Sequence, residues 1–388
     1  MRRIGIYIER QRAWGRRVCE GIASFAQAHP EWQLHIIERS DVARPAVLRT
    51  FDGIIARIAD ARTAAAFRRS GKPVADMTVE SAYGGNIFAG VRQDNAAIGR
   101  LAAEHFIEHR FVNFAFLGYS GARFSRERRD SYAEFLKQRG YACSVHEMPY
   151  GAHAHAIQSG RMDAARGSQG VARWLRALPK PCAVFCATDL CGYQASWTCG
   201  DEGLAVPDAV ALLGVDNDTL ICNFINPTLS SIDPDAFRLG VEAAELLNRH
   251  LDGMVPPGAS PKIAPRELVT RGSSQTFPVD PPWLSDALVF IRRNHHRHIS
   301  ANDVYSHLGL SHTRVNAAFR ERLGTTVQSE IRSASLAAAR RLLGSTDLPV
   351  VEIARRTGFA SVQYFCNVFT ATYGASPSSW RHHAHSAT

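Results

Sequence analysis

Hydrophobic and polar positions follow two different patterns along this chain. Through residue 272, short apolar runs alternate with amphipathic stretches, which is typical of strands separated by helices. The predicted strands are 3–8, 33–38, 53–57, 73–76, 86–91, 113–117, 142–148, 183–187 and 211–215, and the predicted helices include 14–28, 95–109, 128–139 and 170–177. Strands spaced by helices indicate parallel sheets with right-handed crossovers. We therefore expect an α/β class with two Rossmann-like lobes and a cleft between them.

Toward the end of the chain the pattern becomes helical, with two units that each read as helix, turn and helix. They cover residues 303–320 and 351–369. Each has a glycine at the turn (Gly309, Gly358) and a serine that can cap the next helix (Ser311, Ser361). The apolar spacing of 326–343, without Pro or Gly, predicts one long helix between the two units. A helix-turn-helix holds its second helix in a position that fits the major groove of DNA.

Charge agrees with this interpretation. The 388 residues carry a net charge of +9, and from residue 281 onward there are twelve arginines and six acidic residues, a balance of +6. Binding to phosphates requires such a basic surface. The alternative is a basic face that contacts only water.

The tail resembles a known family. The run Ile353-Ala-Arg-Arg-Thr-Gly-Phe-Ala-Ser-Val-Gln-Tyr-Phe, with Phe369, Tyr373-Gly374 and Ser376-Pro377 after it, makes residues 284–383 similar to the DNA-binding domain of the arabinose-regulator (AraC) family. The resemblance implies a transcription regulator, usually an activator, that binds double-stranded DNA with both recognition helices. Periodicity and resemblance together give the DNA-facing residues as Thr313, Arg314, Asn316, Ala317 and Arg320, then Val362, Gln363, Tyr364 and Asn367.

The first 272 residues resemble a second family, the sugar-binding core of the lactose-repressor (LacI) family and of periplasmic sugar-binding proteins. The matching segments are Val91-Arg-Gln-Asp-Asn-Ala-Ala-Ile-Gly, Arg128-Arg-Asp-Ser-Tyr, Ala187-Thr-Asp, Gly214-Val-Asp-Asn-Asp and Pro227-Thr-Leu-Ser-Ser-Ile. A DNA-binding module that follows such a core is the order found in xylose-operon activators, which the chain resembles from end to end. We expect a sugar-binding domain at 1–272, a linker at 273–283 and a DNA-binding domain at 284–388.

The second resemblance implies a cleft that holds a sugar. Its expected lining is Arg16, Asp94, Arg128, Asp189 and Asp216, with Trp14 or Phe124 against the C–H face of the sugar. Carboxylates accept from neighbouring hydroxyls and arginines donate to them, so these residue types fit a polyol. The alternative is a set of unrelated surface ion pairs. One departure from many sugar repressors is Ala236, where an aromatic residue commonly packs on the ligand.

These features together predict a sugar-responsive activator of pentose catabolism genes, with D-xylose as the expected effector. A regulator of the same architecture that responds to another sugar or small polar ligand is the alternative. The expected partners are operator DNA, the effector, a second copy of the chain in a homodimer, and RNA polymerase. No metal or cofactor is expected. No run of eighteen apolar residues occurs, and Glu9 and Arg10 end the first apolar run early, so we expect a cytoplasmic protein without a membrane span.

An enzyme is the alternative from another class. Ser120 follows an apolar strand in Gly-Tyr-Ser-Gly-Ala, which favours a hydrolase nucleophile only weakly because Ala122 replaces the second glycine. A DNA-repair methyl acceptor would need a reactive cysteine, and none of the eight lies in an electropositive motif. Cys182 and Cys186 fall on one face of a predicted strand, so they are expected in the core as thiols. His153 and His155 are expected in a loop.

Overall fold

Two parallel sheets organise the first two thirds of the chain, in a computed structural model that describes residues 1–58, 60–77, 89–150, 164–254 and 260–386. The first sheet has the strand order β2-β1-β3-β4-β5, all parallel. Its strands are β1 (Arg2–Tyr7), β2 (Trp32–Ile36), β3 (Gly53–Ala56), β4 (Val74–Asp76) and β5 (Ala89–Gly90). The helices α1 (Ala13–Gln27), α2 (Arg39–Val42), α3 (Pro45–Leu48) and α4 (Ala61–Ser70) connect them. This is the first lobe.

The second sheet has the order β13-β11-β10-β9-β7-β8, in which only β13 is antiparallel to its neighbour. Its strands are β7 (Phe114–Ser120), β8 (Cys143–Pro149), β9 (Cys182–Cys186), β10 (Val210–Val215), β11 (Ser230–Asp233) and β13 (Glu267–Val269). The helices of this second lobe are α5 (Asn95–Glu108), α6 (Arg123–Lys137), α7 (Ala164–Ala177), α8 (Asp189–Asp201) and α9 (Thr219–Phe224). Both β9 and β10 are buried along their whole length, as expected for central strands covered on two faces.

The chain passes between the lobes several times. A two-residue strand β6 (Arg92–Gln93) pairs with β12 (Lys262–Ile263), so two of the crossings run side by side. A further crossing brings α10 (Ala236–Leu251) back onto α1 of the first lobe. The two helices can approach this closely because Gly240 has no side chain. A Cβ at that position would lie 2.1 Å from the Val18 carbonyl oxygen. The first lobe is therefore assembled from segments that are far apart in the sequence.

The C-terminal domain is helical. Its helices are α11 (Pro282–Asn294), α12 (Ala301–Leu308), α13 (His312–Leu323), α14 (Val327–Ser345), α15 (Val350–Arg356), α16 (Val362–Tyr373) and α17 (Pro377–Ser386). One apolar cluster surrounds Val315 and Phe319, and a second surrounds Phe365 and Phe369. The long helix α14 contributes Ile331 to the first cluster and Leu343 to the second, which fixes one helix-turn-helix unit relative to the other.

The fold class expected from the sequence is confirmed, with two α/β lobes followed by a helical domain. Most predicted elements match within one or two residues, although α6 begins at Arg123 rather than at 128 and α7 begins at Ala164 rather than at 170. The predicted strand at 86–91 lies partly outside the described residues. His153 and His155 lie wholly outside them. Cys182 and Cys186 are buried thiols in β9. None of the helices within the described ranges has the length and apolarity required to cross a bilayer.

Candidate functional site

The inter-lobe cleft lies where strands of both sheets end. The residues that line its narrower part lie on β6, at the start of α5 or on α10, or follow the carboxyl ends of β1, β3, β4, β7, β8, β9 and β10. They are Glu9, Arg12, Trp14, Arg57, Met77, Arg92, Gln93, Asn95, Arg123, Phe124, Glu127, Arg128, Tyr150, Thr188, Asp216 and Leu239. This part has a volume of about 110 Å³. It opens into a wider space of about 730 Å³ that shares Trp14, Arg57 and Asp216. Strand ends that face each other across two lobes form the usual ligand position in open parallel sheets.

Asp216 has the most unusual environment in the cleft. It follows β10 with a φ of 115°, a conformation that residues other than glycine rarely adopt. Burial raises the pKa of Asp216 to about 6, against the attraction of Arg128, Arg12 and Arg57. Among the described residues no donor bonds to its carboxylate, although its amide donates to the Ile232 carbonyl. An acceptor surrounded by cations and without a partner is suited to take hydroxyl donors from a ligand.

Arg128 is held in a fixed orientation below Asp216. Its side chain is 2% exposed and donates to Asn95 Oδ1 at 2.9 Å, to Gln93 Oε1 at 3.2 Å and to the Ala187 carbonyl. Its guanidinium carbon lies 5.2 Å from the centre of the Phe124 ring. Burial lowers the pKa of Arg128, and the charge of Asp216 opposes that effect. The cleft therefore contains a guanidinium whose position is set before any ligand arrives.

Arg57 and Trp14 form the opposite wall. The Arg57 guanidinium donates to Glu9 at 3.1 Å and to the Tyr150 hydroxyl at 3.0 Å. It also lies 5.2 Å from the centre of the Trp14 ring. Trp14 and Phe124 both line this part of the cleft, and their predicted contact with a sugar stays a prediction. Phe237, beside Ala236, is 44% exposed and does not line the narrower part.

Two buried donors in the cleft have no acceptor. Arg92 Nε and Gln93 Nε2 are inaccessible to solvent, and no described residue accepts a hydrogen bond from either atom. Buried polar atoms are nearly always paired in folded proteins. The two neighbouring residues of β6 therefore leave this wall of the cleft with two unsatisfied donors.

Three of the residues predicted to line the cleft have other contacts. The Asp189 carboxylate is buried and accepts from the Ser231 hydroxyl at 2.5 Å and from the Asp218 amide at 2.7 Å. Burial and the nearby charge of Asp216 raise the pKa of Asp189. Asp94 caps α5 by accepting from the Ala97 amide at 2.9 Å. These bonds give both carboxylates structural partners, so their predicted contact with a sugar stays a prediction.

Arg16, the third of these residues, is exposed and donates to the backbone carbonyls of Arg10 and Gln11. It lines the wider part rather than the narrower part of the cleft. The structure instead adds residues that the sequence reasoning did not select: Arg12, Arg57, Arg92, Gln93, Asn95 and Glu127. Arg57 had a usable signal, since it directly follows β3 and the carboxyl end of a parallel strand faces the ligand.

The two candidate recognition helices are α13 and α16. Ser311 accepts from the Arg314 amide and Ser361 from the Tyr364 amide, so each helix begins at the predicted cap. The predicted DNA-facing residues that are exposed are Thr313, Arg314, Ala317, Arg320, Gln363, Tyr364 and Asn367. The other two are half-buried: Asn316 accepts from the Tyr305 hydroxyl at 3.0 Å, and Val362 packs against the second apolar cluster. Gln363 donates to Asn367 at 3.1 Å, so these two amides are already oriented as a pair.

Neither enzyme alternative gains support from these contacts. The Ser120 hydroxyl donates to the Met148 carbonyl at 3.4 Å rather than to a histidine. Burial raises the pKa of Cys143, Cys182 and Cys199 to about 12, the opposite of what a thiolate nucleophile requires.

Comparison with known proteins agrees with both domains. A periplasmic binding protein-like domain matches residues 103–274, and a helix-turn-helix domain matches residues 305–383. The chain is 26% identical to the xylose operon regulatory protein of Haemophilus influenzae, over 98% of each chain. It is also 26% identical to the protein of that name from Escherichia coli K12, over 98% of this chain and 96% of that one.

One solved structure has the same two domains in the same order. The xylose-binding transcription activator xylR covers 98% of both chains with a TM-score of 0.61 and 25% identity. This chain is a transcription regulator of that two-domain architecture. A LacI family regulator from Enterococcus faecium with bound ribose matches 72% of this chain and 100% of its own, at 17% identity and a TM-score of 0.57. This likeness shows the fold of the two lobes. The relatives are regulators of transcription, in agreement with the choice of regulator over enzyme.

Proposed function

We propose that this regulator binds D-xylose in the inter-lobe cleft and activates transcription from DNA sites read by α13 and α16. The observation that carries the proposal is the unpaired Asp216 carboxylate, held among three arginines and opposite the orphan donors of Arg92 and Gln93. A sugar hydroxyl both donates and accepts, so one small polyol satisfies all of these groups. The two full-length relatives named for the xylose operon support this pentose in particular.

In the proposed complex, Asp216 accepts from ring hydroxyls while Arg128 and Arg92 donate to them. Trp14 and Phe124 cover the C–H faces of the ring from opposite sides. The predicted ligands Arg16, Asp94 and Asp189 act around this set, with Asp189 accepting from the amide of Asp218, two residues after Asp216. Binding draws the lobes together, since Trp14 and Arg57 belong to the first lobe and Arg128 to the second.

Titration calorimetry with D-xylose, L-arabinose, D-ribose and D-glucose tests the effector. We expect D-xylose to bind with a preference of roughly tenfold or more, because a site built to bond hydroxyls rejects sugars that leave its groups unpaired. Tighter binding of another sugar would keep the regulator and replace the effector. No heat with any sugar or small polar ligand would contradict the cleft assignment.

The DNA-binding proposal rests on the exposed amides of α16 and the basic surface of α13. Asn and Gln pair with adenine edges, and each such contact contributes about 1–3 kcal/mol of discrimination. Gln363→Ala should therefore weaken specific operator binding by roughly 10- to 100-fold in a gel shift and leave sugar affinity unchanged. Exposed Glu321→Ala provides a control on α13 that removes a carboxylate rather than a base contact. Equal operator affinity in Gln363→Ala and the wild type would remove α16 from the interface.

We further propose a homodimer that recruits RNA polymerase in the cytoplasm. Two-fold regulators bind paired half-sites, and large apolar side chains are exposed on α8 and α9: Trp197 at 55%, Leu220 at 57% and Phe224 at 73%. Sedimentation of Leu220→Glu/Phe224→Glu against the wild type tests this surface, with a shift to monomer expected. Transcription in vitro with purified polymerase tests activation.

A further inference from the structure

The DNA-binding domain is joined to the second lobe by a network of opposite charges. Arg340 on α14 lies 3.2 Å from Glu104 and 3.3 Å from Glu108, both on α5. Arg341 reaches Glu108 at 3.5 Å. In the reverse direction, Arg110 of the second lobe pairs with Glu330 of α14 at 3.1 Å. Single exposed pairs contribute little, but a network that joins two domains fixes their relative orientation. We call this set the domain interface.

Packing beneath these charges removes the freedom of the linker. His109, directly after α5, stacks on Phe277 with ring centres 4.8 Å apart, and both residues are buried. The Phe277 amide donates to Ser285 Oγ at 3.0 Å, and Thr276 donates to Asp208 at 3.0 Å. The predicted linker is thus bonded on both sides, to the second lobe and to α11.

The other end of α5 lies in the inter-lobe cleft. Asn95, its first residue, accepts from Arg128 at 2.9 Å and donates to Glu127 at 2.9 Å. From there α5 runs for 14 residues to Glu108, about 20 Å at 1.5 Å per residue. Ile98, Ala102 and Phe106 are fully buried along its inner face, so the helix cannot bend freely. One element therefore contacts the effector site and the DNA-binding domain at its two ends.

We propose that α5 carries the effector signal, with Glu104 and Glu108 as the contacts that transmit it to α14. The proposal rests on the function proposed above, since it requires a ligand that engages Arg128. When a ligand draws hydrogen bonds from Arg128, the bonds of Arg128 to Asn95 change and the start of α5 shifts. The carboxylates at its other end pull on Arg340 and Arg341. Because α14 joins both helix-turn-helix units, both recognition helices move together, and DNA in turn strengthens sugar binding.

The test is the double variant Glu104→Gln/Glu108→Gln, which removes the charges and keeps the shape. Operator affinity is measured by fluorescence anisotropy with and without saturating D-xylose. We expect the sugar-dependent ratio of operator affinities to fall to less than a third of the wild-type ratio, while sugar affinity stays within twofold. Glu242→Gln, which removes a carboxylate from an exposed pair on α10, is the matched control and should keep the full ratio. A wild-type ratio in the double variant overturns the proposal.

Hydrogen exchange separates this result from a failure of the proposed function. Without any ligand, the amides of α14 should exchange at least threefold faster in the double variant than in the wild type, because the interface no longer holds the helix. Arg340→Gln should give the same change from the other side. If no sugar alters operator affinity in the wild type, the proposed effector is wrong. Unchanged exchange in both variants would show that these charges do not hold the domain, whatever the effector.

Discussion

In the domain interface Glu104, Glu108 and Glu330 each face an arginine at 3.1–3.3 Å, whereas in the inter-lobe cleft Asp216 accepts no bond from a described donor. Both regions combine arginines with carboxylates inside the protein. The three interface carboxylates have partners without a ligand, and Asp216 does not. Charged residues alone therefore do not distinguish a structural contact from a binding site, and the pairing of each carboxylate does.

The pKa of a histidine in the interface and the pKa of an aspartate in the cleft are shifted in opposite directions. In the interface, burial and nearby Arg292 lower the pKa of His109 to about 3. In the cleft, burial raises the pKa of Asp216 to about 6. Each region thus disfavours the charged form of its own group, and in the proposed complex the sugar supplies hydrogen-bond donors to the Asp216 carboxylate. The following predictions test that difference, beginning with the largest effect.

Removing an interface carboxylate should cost stability and leave sugar binding intact. Glu330 has a side chain that is 8% exposed and pairs with Arg110, which is 33% exposed. Breaking a buried pair costs roughly 3–5 kcal/mol, and the partial exposure of Arg110 places Glu330→Ala near the lower value, about 3 kcal/mol. Urea unfolding measures the loss. Glu352→Ala removes a carboxylate from a surface pair on α15, in which the Arg356 side chain is 53% exposed, and should keep the wild-type midpoint. Equal midpoints in the two variants would make the interface no more than a surface contact.

Removing the cleft carboxylate should have the reverse effect. Asp216→Asn loses the charge-assisted bonds to the sugar, which contribute about 1.5–3 kcal/mol, so affinity should fall by roughly 100-fold in calorimetry. The empty protein should melt at a higher temperature, because the raised pKa of Asp216 means that its charge costs stability. Basal DNA affinity should not change. A variant that binds D-xylose as tightly as the wild type would exclude Asp216 as a ligand.

The sequence predicted the framework of both regions better than their pairing. Strand ends and helix caps follow from local periodicity, so β10, α5 and the caps Ser311 and Ser361 were found correctly. Whether a carboxylate is free depends on residues far away in the chain. Asp189 accepts a hydrogen bond from Ser231, 42 positions later, and no local sequence pattern predicts that bond. The chain likewise gives no sign that α10 returns to the first lobe, or that Glu104 meets Arg340 across 236 positions.

Acid should destabilise the interface and stabilise the cleft. With a folded pKa of about 3 against about 6.5 unfolded, His109 takes up its proton only on unfolding, so the free energy of unfolding falls as pH drops below about 6.5. Between pH 7.5 and pH 5, His109 alone should lower the free energy of unfolding by about 2 kcal/mol. Asp216, raised to about 6, contributes the opposite sign and regains about 1 kcal/mol over the same range.

Two variants separate these contributions in urea unfolding measured from pH 7.5 to pH 5. His109→Gln should flatten the decline, since it removes the group that must stay neutral beside Arg292 and Arg341. Asp216→Asn should steepen the decline, since it removes the carboxylate whose protonation stabilises the folded protein in acid. Parallel pH profiles in the wild type and His109→Gln would mean that other groups cause the acid sensitivity.

The smallest effect concerns an orphan donor. Gln93 Nε2 is buried without an acceptor, whereas Gln93 Oε1 accepts from Arg128. Gln93→Glu therefore removes the unsatisfied donor, keeps the acceptor, and should change the free energy of unfolding of the empty protein by less than about 1 kcal/mol. Arg128 keeps its bonds to Asn95 and the Ala187 carbonyl in this variant. Sugar affinity should nevertheless fall by about tenfold, the contribution of one hydrogen bond that only the ligand completes. The pattern expected of the cleft is therefore lost affinity at unchanged stability. A variant that instead lost stability and kept its affinity would place Gln93 with the structural bonds of the interface.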